Sequence, residues 1–324
     1  MCDQSNAKKN VYKSVVDLIG DDRNPTPLVR VNKLTENQNY DLFLKLEWYN
    51  PFGSIKDRTA KYLIKGLNER GDLKGKEIVE PSSGNTGIAL AGIANILGVK
   101  TTVTIPDAVP EEKQTILRML GATVYPTPDD LCPINHPKDG AIALAHSIVK
   151  SGSTKDKYVM PNQYENTDNI LAHYETTGPE IYNQTDGKVK YFFAGYGTCG
   201  TITGVGKYLK ERDPNIRIIA IEPQKGHRLP GLKNFKESKQ PEILDSGVID
   251  DVITVLDDDA YQTSIDLMRK ESLLIGPSTG AIVWAAMEYL KDKDGTAVAI
   301  SPDGAFKYVS FYYDYVKNDG RPQV

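Results

Sequence analysis

Along the chain, short runs of apolar residues alternate with stretches whose apolar positions recur at the helical period. The runs DLFLKL (41–46), EIV (77–79), TTVTI (101–105), ATVY (122–125), YFFA (191–194), RIIAI (217–221), DVITV (251–255) and AVAI (297–300) are the right length for buried strands. Helix-period segments fit between nearly all of them, which predicts a parallel α/β architecture rather than separate helical and sheet modules. In the segment 50–63, NPFGSIKDRTAKYL, and just beyond it, Ala60, Leu63, Ile64 and Leu67 fall on one stripe and the opposite face is charged. The segment TGIALAGIANIL (86–97) is apolar nearly all round, so it predicts a helix buried between layers. Two sheets fit this many strands. The Pro- and Asp-rich stretch PTPDDLCPINHPKDG (126–140) reads as a surface loop, and a second break, SGSTKDK (151–157), predicts a domain boundary near Pro161.

Composition narrows the class of partner. The chain has 324 residues, 40% of them apolar, with a net charge of −4 and a pI near 5.7. No lysine or arginine run interleaves with aromatics, so small molecules are expected as partners and nucleic acid is not. Cys2, Cys132 and Cys199 are widely spaced, match no metal-ligand pattern and are odd in number, which points away from a disulfide framework and towards a reducing, cytoplasmic setting. The polar start MCDQSNAKKN has no apolar signal region, and no apolar run reaches the roughly 18 residues of a membrane span. A soluble protein is expected.

Four glycine-containing turns carry candidate chemistry. In the first, Lys56 follows the tight Asn-Pro-Phe-Gly-Ser turn and enters the first turn of a helix, where the dipole disfavours a cation. A solvated lysine is one reading. The other is an amine with a depressed pKa, crowded by a positive helix end and apolar neighbours and suited to forming a Schiff base. In the second, EPSSGNTG (80–87), small residues bare the N–H groups of a helix start and Ser82, Ser83, Asn85 and Thr86 surround them, as an ordinary cap or as an anion cradle. The third, GYGTCGTITG (195–204), is literally G-x-G-x-x-G after a strand, with Glu222 ending the next strand where a dinucleotide fold has its ribose acid. The same backbone donors serve a single phosphate monoester, so the motif leaves both ligands open. In the fourth, GPSTGA (276–281), Ser278 reads in isolation as a helix cap.

Read in this order, NPFGSIKDR, EPSSGNTG, GYGTCGT and GPSTGA resemble the signature loops of the fold-type II pyridoxal-phosphate enzymes, and most closely the cysteine synthase and cystathionine β-synthase family. The resemblance runs from about Pro25 to about Ser310. It implies two α/β domains, each with a twisted, mainly parallel sheet flanked by helices, with pyridoxal 5'-phosphate in the interdomain cleft and a homodimer as the usual assembly. Residues 41–160 would form the N-terminal domain, carrying Lys56 and the asparagine loop; residues 11–40 with 161–318 would form the C-terminal domain, carrying the phosphate cup and Ser278. Position by position, Lys56 resembles the lysine that holds the cofactor as a Schiff base. Asn85 resembles the asparagine at its ring hydroxyl, and Gly197, Thr198, Cys199, Gly200 and Thr201 the phosphate cup. Ser278 matches the serine facing the pyridine nitrogen, and Ser82, Ser83 and Thr86, with Gln163, match the loop that clasps the substrate carboxylate. A serine at the ring nitrogen does not hold it protonated, which suits β-elimination: Lys56 removes the α-proton, an aminoacrylate remains, and a thiol or sulfide adds.

The resemblance has departures. Ser82 stands where many relatives have threonine, and Cys199 where the cup has glycine. The loop KGHRLPGLKNF (225–235) is closer to branches that include phosphoserine users, so Arg228 or Lys233 is a candidate for a substrate phosphate, against a solvated basic loop. No C-terminal regulatory module fits in the residues that remain, and no haem-ligating Cys/His pair stands near the start. The expected activity is cysteine synthesis from O-acetylserine or O-phosphoserine and sulfide, with serine acetyltransferase as a candidate partner. Cystathionine β-synthase and serine dehydratase activities belong to the same fold, and a nicotinamide-dependent oxidoreductase is the alternative from another class.

Overall fold

A computed structural model describes residues 11–129, 138–151 and 156–317. Cys2, Cys132 and parts of the 126–140 and 151–157 stretches lie outside the described residues. The strands are β1 (Leu28–Arg30), β2 (Tyr40–Leu46), β3 (Glu77–Pro81), β4 (Thr101–Pro106), β5 (Thr123–Thr127), β6 (Tyr158–Val159), β7 (Val189–Gly195), β8 (Arg217–Pro223), β9 (Asp251–Val255) and β10 (Gly295–Ser301). The helices are α1 (Lys56–Glu69), α2 (Asn85–Ile96), α3 (Glu111–Met119), α4 (Ala141–Lys150), α5 (Asp168–Ala172), α6 (Gly178–Gln184), α7 (Gly200–Arg212), α8 (Asp257–Glu271), α9 (Pro277–Leu290) and α10 (Val309–Lys317). Each run expected to be extended contributes a strand. The two strands that the pattern does not announce, β1 and β6, have three and two residues, too few to express a period.

The strands form two sheets. The larger has the order β1-β2-β10-β7-β8-β9 and the smaller the order β5-β4-β3-β6. All pairings are parallel except that of β1 with β2. The larger sheet is covered on both faces, which is why its central strands are apolar along their middle residues, Phe192–Ala194, Ile218–Ile221 and Ala297–Ile300. Alternate residues sort to opposite cores: Phe193, Ile219, Ile221 and Ala299 pack with α8 and α9, whereas Phe192, Ile218, Ala220 and Val298 pack with α6 and α7. The smaller sheet packs Ile78 against α1 and α2, and Val103 and Ile105 against α2 and α3.

Three expectations change. β2 pairs with β10, so the first strand of the 41–160 segment sits in the larger sheet, not with the rest of that segment. Helix α2 is buried from Thr86 to Ala94, but Ile96 and Leu97 at its end stand about half exposed. On α1 the expected stripe of Ala60, Leu63, Ile64 and Leu67 is buried, and so is Arg58 on the opposite face expected to be charged, together with Asp57 and Thr59.

Ion pairs account for the burial of Arg58. Its Nε donates to Glu47 at 2.7 Å, its Nη2 donates to Glu180 at 2.8 Å, and its Nη1 donates to the Gly20 carbonyl at 3.0 Å. Lys45 completes the cluster, donating to Glu180 at 2.6 Å and to Gln184 at 2.7 Å. Four charged side chains thus lie buried together, one each from α1, β2, the turn after β2 and α6. Burial by itself would raise the pKa of Glu47, but Arg58 outweighs it and holds the carboxyl at about 2. Arg58→Met would leave two buried carboxylates without their main counter-charge, and the expected loss is about 3–5 kcal/mol of stability in urea unfolding. The Glu47 contribution is present above its ordinary value of 4.5 and is lost as the pH falls towards about 2, so an acid limb should be visible in the native protein and absent from Glu47→Gln.

Candidate active site

The turn before α1 is built to hold Lys56 at the start of the helix. Gly53 takes a φ of 77°, in the left-handed region that favours glycine. Asp57 accepts the Phe52 N–H at 2.6 Å, and the Ile55 N–H donates to the Pro302 carbonyl at 2.8 Å. The Phe52 ring fills the space above Gly92, where a Cβ would come within 2.2 Å of it, so the turn is seated on α2. Lys307 spends its three N–H bonds on the carbonyls of Phe52 (2.7 Å) and Gly53 (3.1 Å) and on Asn85 Oδ1 (3.2 Å). Lys56 itself faces the cleft. Its amine has no hydrogen-bond partner among the described residues, and burial lowers its pKa while Asp303 and Cys199 oppose the shift.

The asparagine loop faces the same space. Gly84 takes a φ of 117°, and the Ser82 hydroxyl oxygen accepts the N–H groups of Gly84 (3.1 Å) and Gly87 (3.0 Å). Ser82 is thereby committed to shaping the loop and lies outside the cleft lining, in contrast to the substrate contact expected of it; Ser83, Asn85, Thr86 and Gln163 do line the cleft. Asn85 Nδ2 donates to Asp303 at 2.6 Å, and Thr86 donates to Gln163 at 2.6 Å. Glu80, buried beneath, accepts the N–H groups of Asn162 and Gln163, and burial pushes its carboxyl up to about 7.

Opposite lies the cup between β7 and α7. Cys199 has a φ of 68°, which explains why glycine is the usual residue of such a turn. A Cβ on Gly200 would come 2.2 Å from Asn169 Oδ1, and one on Gly197 would come 2.8 Å from the Gly231 carbonyl. The N–H groups at the start of α7 therefore sit in a cradle with no room for a side chain at Gly197 or Gly200, a geometry suited to a phosphate. Asn169 donates to Thr198 at 3.1 Å and accepts from Thr59 at 3.0 Å. Behind it, His173 stands in a single π-helical turn, His173–Thr177, inserted between α5 and α6. His173 Nε2 lies 3.3 Å from both Thr59 and Thr201, and Nδ1 lies 3.0 Å from Thr177. His173 thus links Thr59 of α1 to Thr201 of the cup. Burial, helped by Lys56 and Arg58, lowers the His173 pKa to about 3.

One cleft therefore brings together Lys56, Ser83, Asn85, Thr86, Gln163, Gly197, Thr198, Cys199, Thr201, Ser278 and Lys233. Gly200 stands behind it, and Arg228 and Glu222 are outside the lining. Arg228 is exposed; its N–H donates to Asp257 at 2.7 Å and its carbonyl accepts from Tyr261 at 2.8 Å. Lys113, Asp303 and Tyr308 line the cleft without having been singled out from the sequence. Their one-dimensional setting is ordinary, a charged helix start (PEEK) and a Pro-Asp-Gly turn.

A family model described as pyridoxal-phosphate dependent enzyme matches residues 19–303. The cysteine synthase of Aquifex aeolicus is 38% identical over 312 residues, 93% of this chain and 92% of that one. The chain belongs to this family of pyridoxal-phosphate enzymes. Two solved structures share the fold at 30% identity. O-ureido-L-serine synthase has a TM-score of 0.85, covering 96% of this chain and 98% of that one. The cysteine synthase of Entamoeba histolytica has a TM-score of 0.82, covering 98% and 95%. The architecture is thus that of fold-type II, and pyridoxal 5'-phosphate is the cofactor. Glu222 as the ribose acid of a nicotinamide enzyme is set aside, because the glycine-rich turn is accounted for by a phosphate monoester and the family's cofactor carries one. The residues fit that group: an unpartnered amine for its carbonyl carbon, a cradle closed to side chains at Gly197 and Gly200 for its phosphate, and Asn85 and the Ser278 hydroxyl in the same cleft. Among the described residues, no helix is long and apolar enough to cross a membrane.

Gly200→Ala should push Asn169 out of place and weaken the hold on pyridoxal phosphate about tenfold, as for the loss of a hydrogen bond at the cup, measured by titrating the cofactor into the apoprotein. His173 is neutral when folded, so its contribution to stability is complete above its ordinary value of 6.5 and is lost as the pH falls towards about 3. Urea unfolding between those limits should show this slope in the native protein, and His173→Gln should flatten it.

Proposed function

We propose that the protein is a cysteine synthase, a β-replacement enzyme that forms L-cysteine from an activated serine and sulfide. The observation that carries this reading is the Lys56 amine, depressed in pKa and without a hydrogen-bond partner, in one cleft with Asn85, the 197–201 turn and Ser278. When bound, the cofactor withdraws electrons from the substrate α-carbon. Lys56 Nζ is the group that holds the cofactor and, once displaced by the substrate amine, takes the proton from the α-carbon while the substituent on Cβ departs. A lowered pKa keeps that amine able to accept a proton. Asn85 is already oriented by Asp303 and Lys307, so its remaining Nδ2–H is directed without further ordering. Ser278 offers the ring nitrogen an uncharged hydroxyl, which does not enforce protonation there. The N–H groups at the start of α2, with Ser83, Thr86 and Gln163, are suited to the carboxylate of the substrate.

The choice of activated serine falls to the cleft wall around Pro230–Lys233. Lys233 lines the cleft and Arg228 does not, which supports Lys233 as the cation for a phosphate on the departing group and O-phosphoserine as a substrate. A homodimer is supported by an apolar groove in which Trp48, Ile116 and Leu120 lie beside Met119 (80% exposed) and Phe306 (74% exposed). Cytoplasmic residence and an association with serine acetyltransferase belong to the same reading and rest on the family resemblance.

The purified protein should be yellow, and borohydride reduction followed by peptide mapping should label Lys56; a label on another lysine, or none, removes the central assignment. Lys56→Ala should lose both the absorption band and the activity. Lys233→Ala should lower kcat/KM for O-phosphoserine about ten- to a hundredfold, the worth of one charge-assisted contact, and leave O-acetylserine nearly unchanged. Equal losses for the two donors would take phosphate recognition away from Lys233.

A further inference from the structure

Lys113 has no part in the function described so far. It stands in the first turn of α3, yet only 1% of it is exposed, and it lines the cleft. Its stem crosses the back of the asparagine loop: a Cβ on Gly84 would lie 2.5 Å from Lys113 Cδ. Its Nζ donates to the Tyr308 hydroxyl at 2.7 Å and sits 4.1 Å from the centre of that ring, and the Tyr308 hydroxyl in turn donates to Asp303. Among the described residues this is the only hydrogen bond of the Lys113 side chain, so two of its three N–H bonds remain unused.

The charges around the cleft do not balance. Lys56, Lys113 and Lys307 face Asp303; Asp57 is pushed up to about 7 by burial, and Glu112 is engaged with Ser310. Burial lowers Lys113 to about 8, against Asp303, with Lys307 and Lys56 adding to the shift. A buried cation without a full counter-charge is costly and calls for an anion. Lys307 has no N–H left for one, and Lys56 is committed to the cofactor and the α-proton. Lys113 remains, touching the loop whose own donors, N–H groups and hydroxyls, are all neutral.

We propose that Lys113 is the counter-charge for the α-carboxylate of the amino-acid substrate, acting from behind the Ser83–Asn85 loop, and that Tyr308 is the residue that positions it. The proposal rests on the reading of the protein as an amino-acid enzyme and names how that substrate's charge is met. The test is a titration of the holoenzyme's visible band with L-alanine and with L-alaninamide, which differ only in the charge to be recognised. Lys113→Met should weaken L-alanine ten- to a hundredfold and leave L-alaninamide unchanged. Lys113→Arg should recover most of the loss, and Tyr308→Phe should show a smaller loss of the same kind. Equal weakening of both ligands, or an unchanged affinity for L-alanine, would overturn the proposal while the band itself stayed intact. A native protein without the band would instead overturn the cofactor assignment on which the proposal depends.

Discussion

Arg58 lies two residues past Lys56, is wholly buried, and has its charge met by Glu47 and Glu180. The helix that carries it belongs to the core of the smaller sheet, through Ala60, Ile64 and Leu67, whereas Glu47 follows a strand of the larger sheet and Glu180 stands on a helix packed on that sheet. The ion cluster therefore joins the two halves within one helical turn of Lys56. Burying these charges has a large desolvation cost, and a hydrophobic replacement of similar shape could match its stability. An apolar contact, however, tolerates sliding. A guanidinium that must meet two carboxylates in fixed directions does not, and the position of Lys56 relative to the cup is set accordingly.

A second set of contacts does the same on the other side of the amine. Lys307 ties the turn before Lys56 to Asn85, and Asn85 is tied to Asp303, which also receives Tyr308. The strand end that supplies Asp303 lies beside the turn itself, through the Ser54–Asp303 bridge and the Ile55 N–H to the Pro302 carbonyl. Lys307 and Asn85 are thus bonded to one another and to their own neighbours, and the lysine amine is left without a partner of its own. Loss of solvent with no compensating hydrogen bond is what depresses its pKa.

The cup is held by a third connection. Thr59 on α1 reaches Asn169 and His173, and these reach Thr198 and Thr201 of the cup. The π-helical turn at His173–Thr177 accommodates an extra residue in the helix and puts the imidazole under the cup. A neutral His173 suits this place, because an imidazolium there would stand buried near Arg58 and Lys56.

The sequence by itself determined the class of fold, the parallel arrangement of strands and the loops that meet at the cleft, because these depend on local periodicity and on glycines that bare a helix start. Ordered together, the motifs around Lys56, Asn85, Gly197 and Ser278 carried the cofactor with them. Tertiary structure decided what local patterns cannot express. Arg58 looks like part of an outer face until Glu47 and Glu180 arrive from other elements. Ser82 looks like a ligand group until its oxygen is seen to serve Gly84 and Gly87. Arg228 and Lys233, alike in one short loop, part company because the chain turns between them and brings only Lys233 to the cleft. Lys113 reads as a solvated charge in PEEK and becomes a buried cation only when Gly84 and Tyr308 close over it. For Arg58 and Lys113 the deciding partners Glu180 and Tyr308 are far away in the chain, and the burial that gives a charge its energetic weight exists only once the two halves are packed.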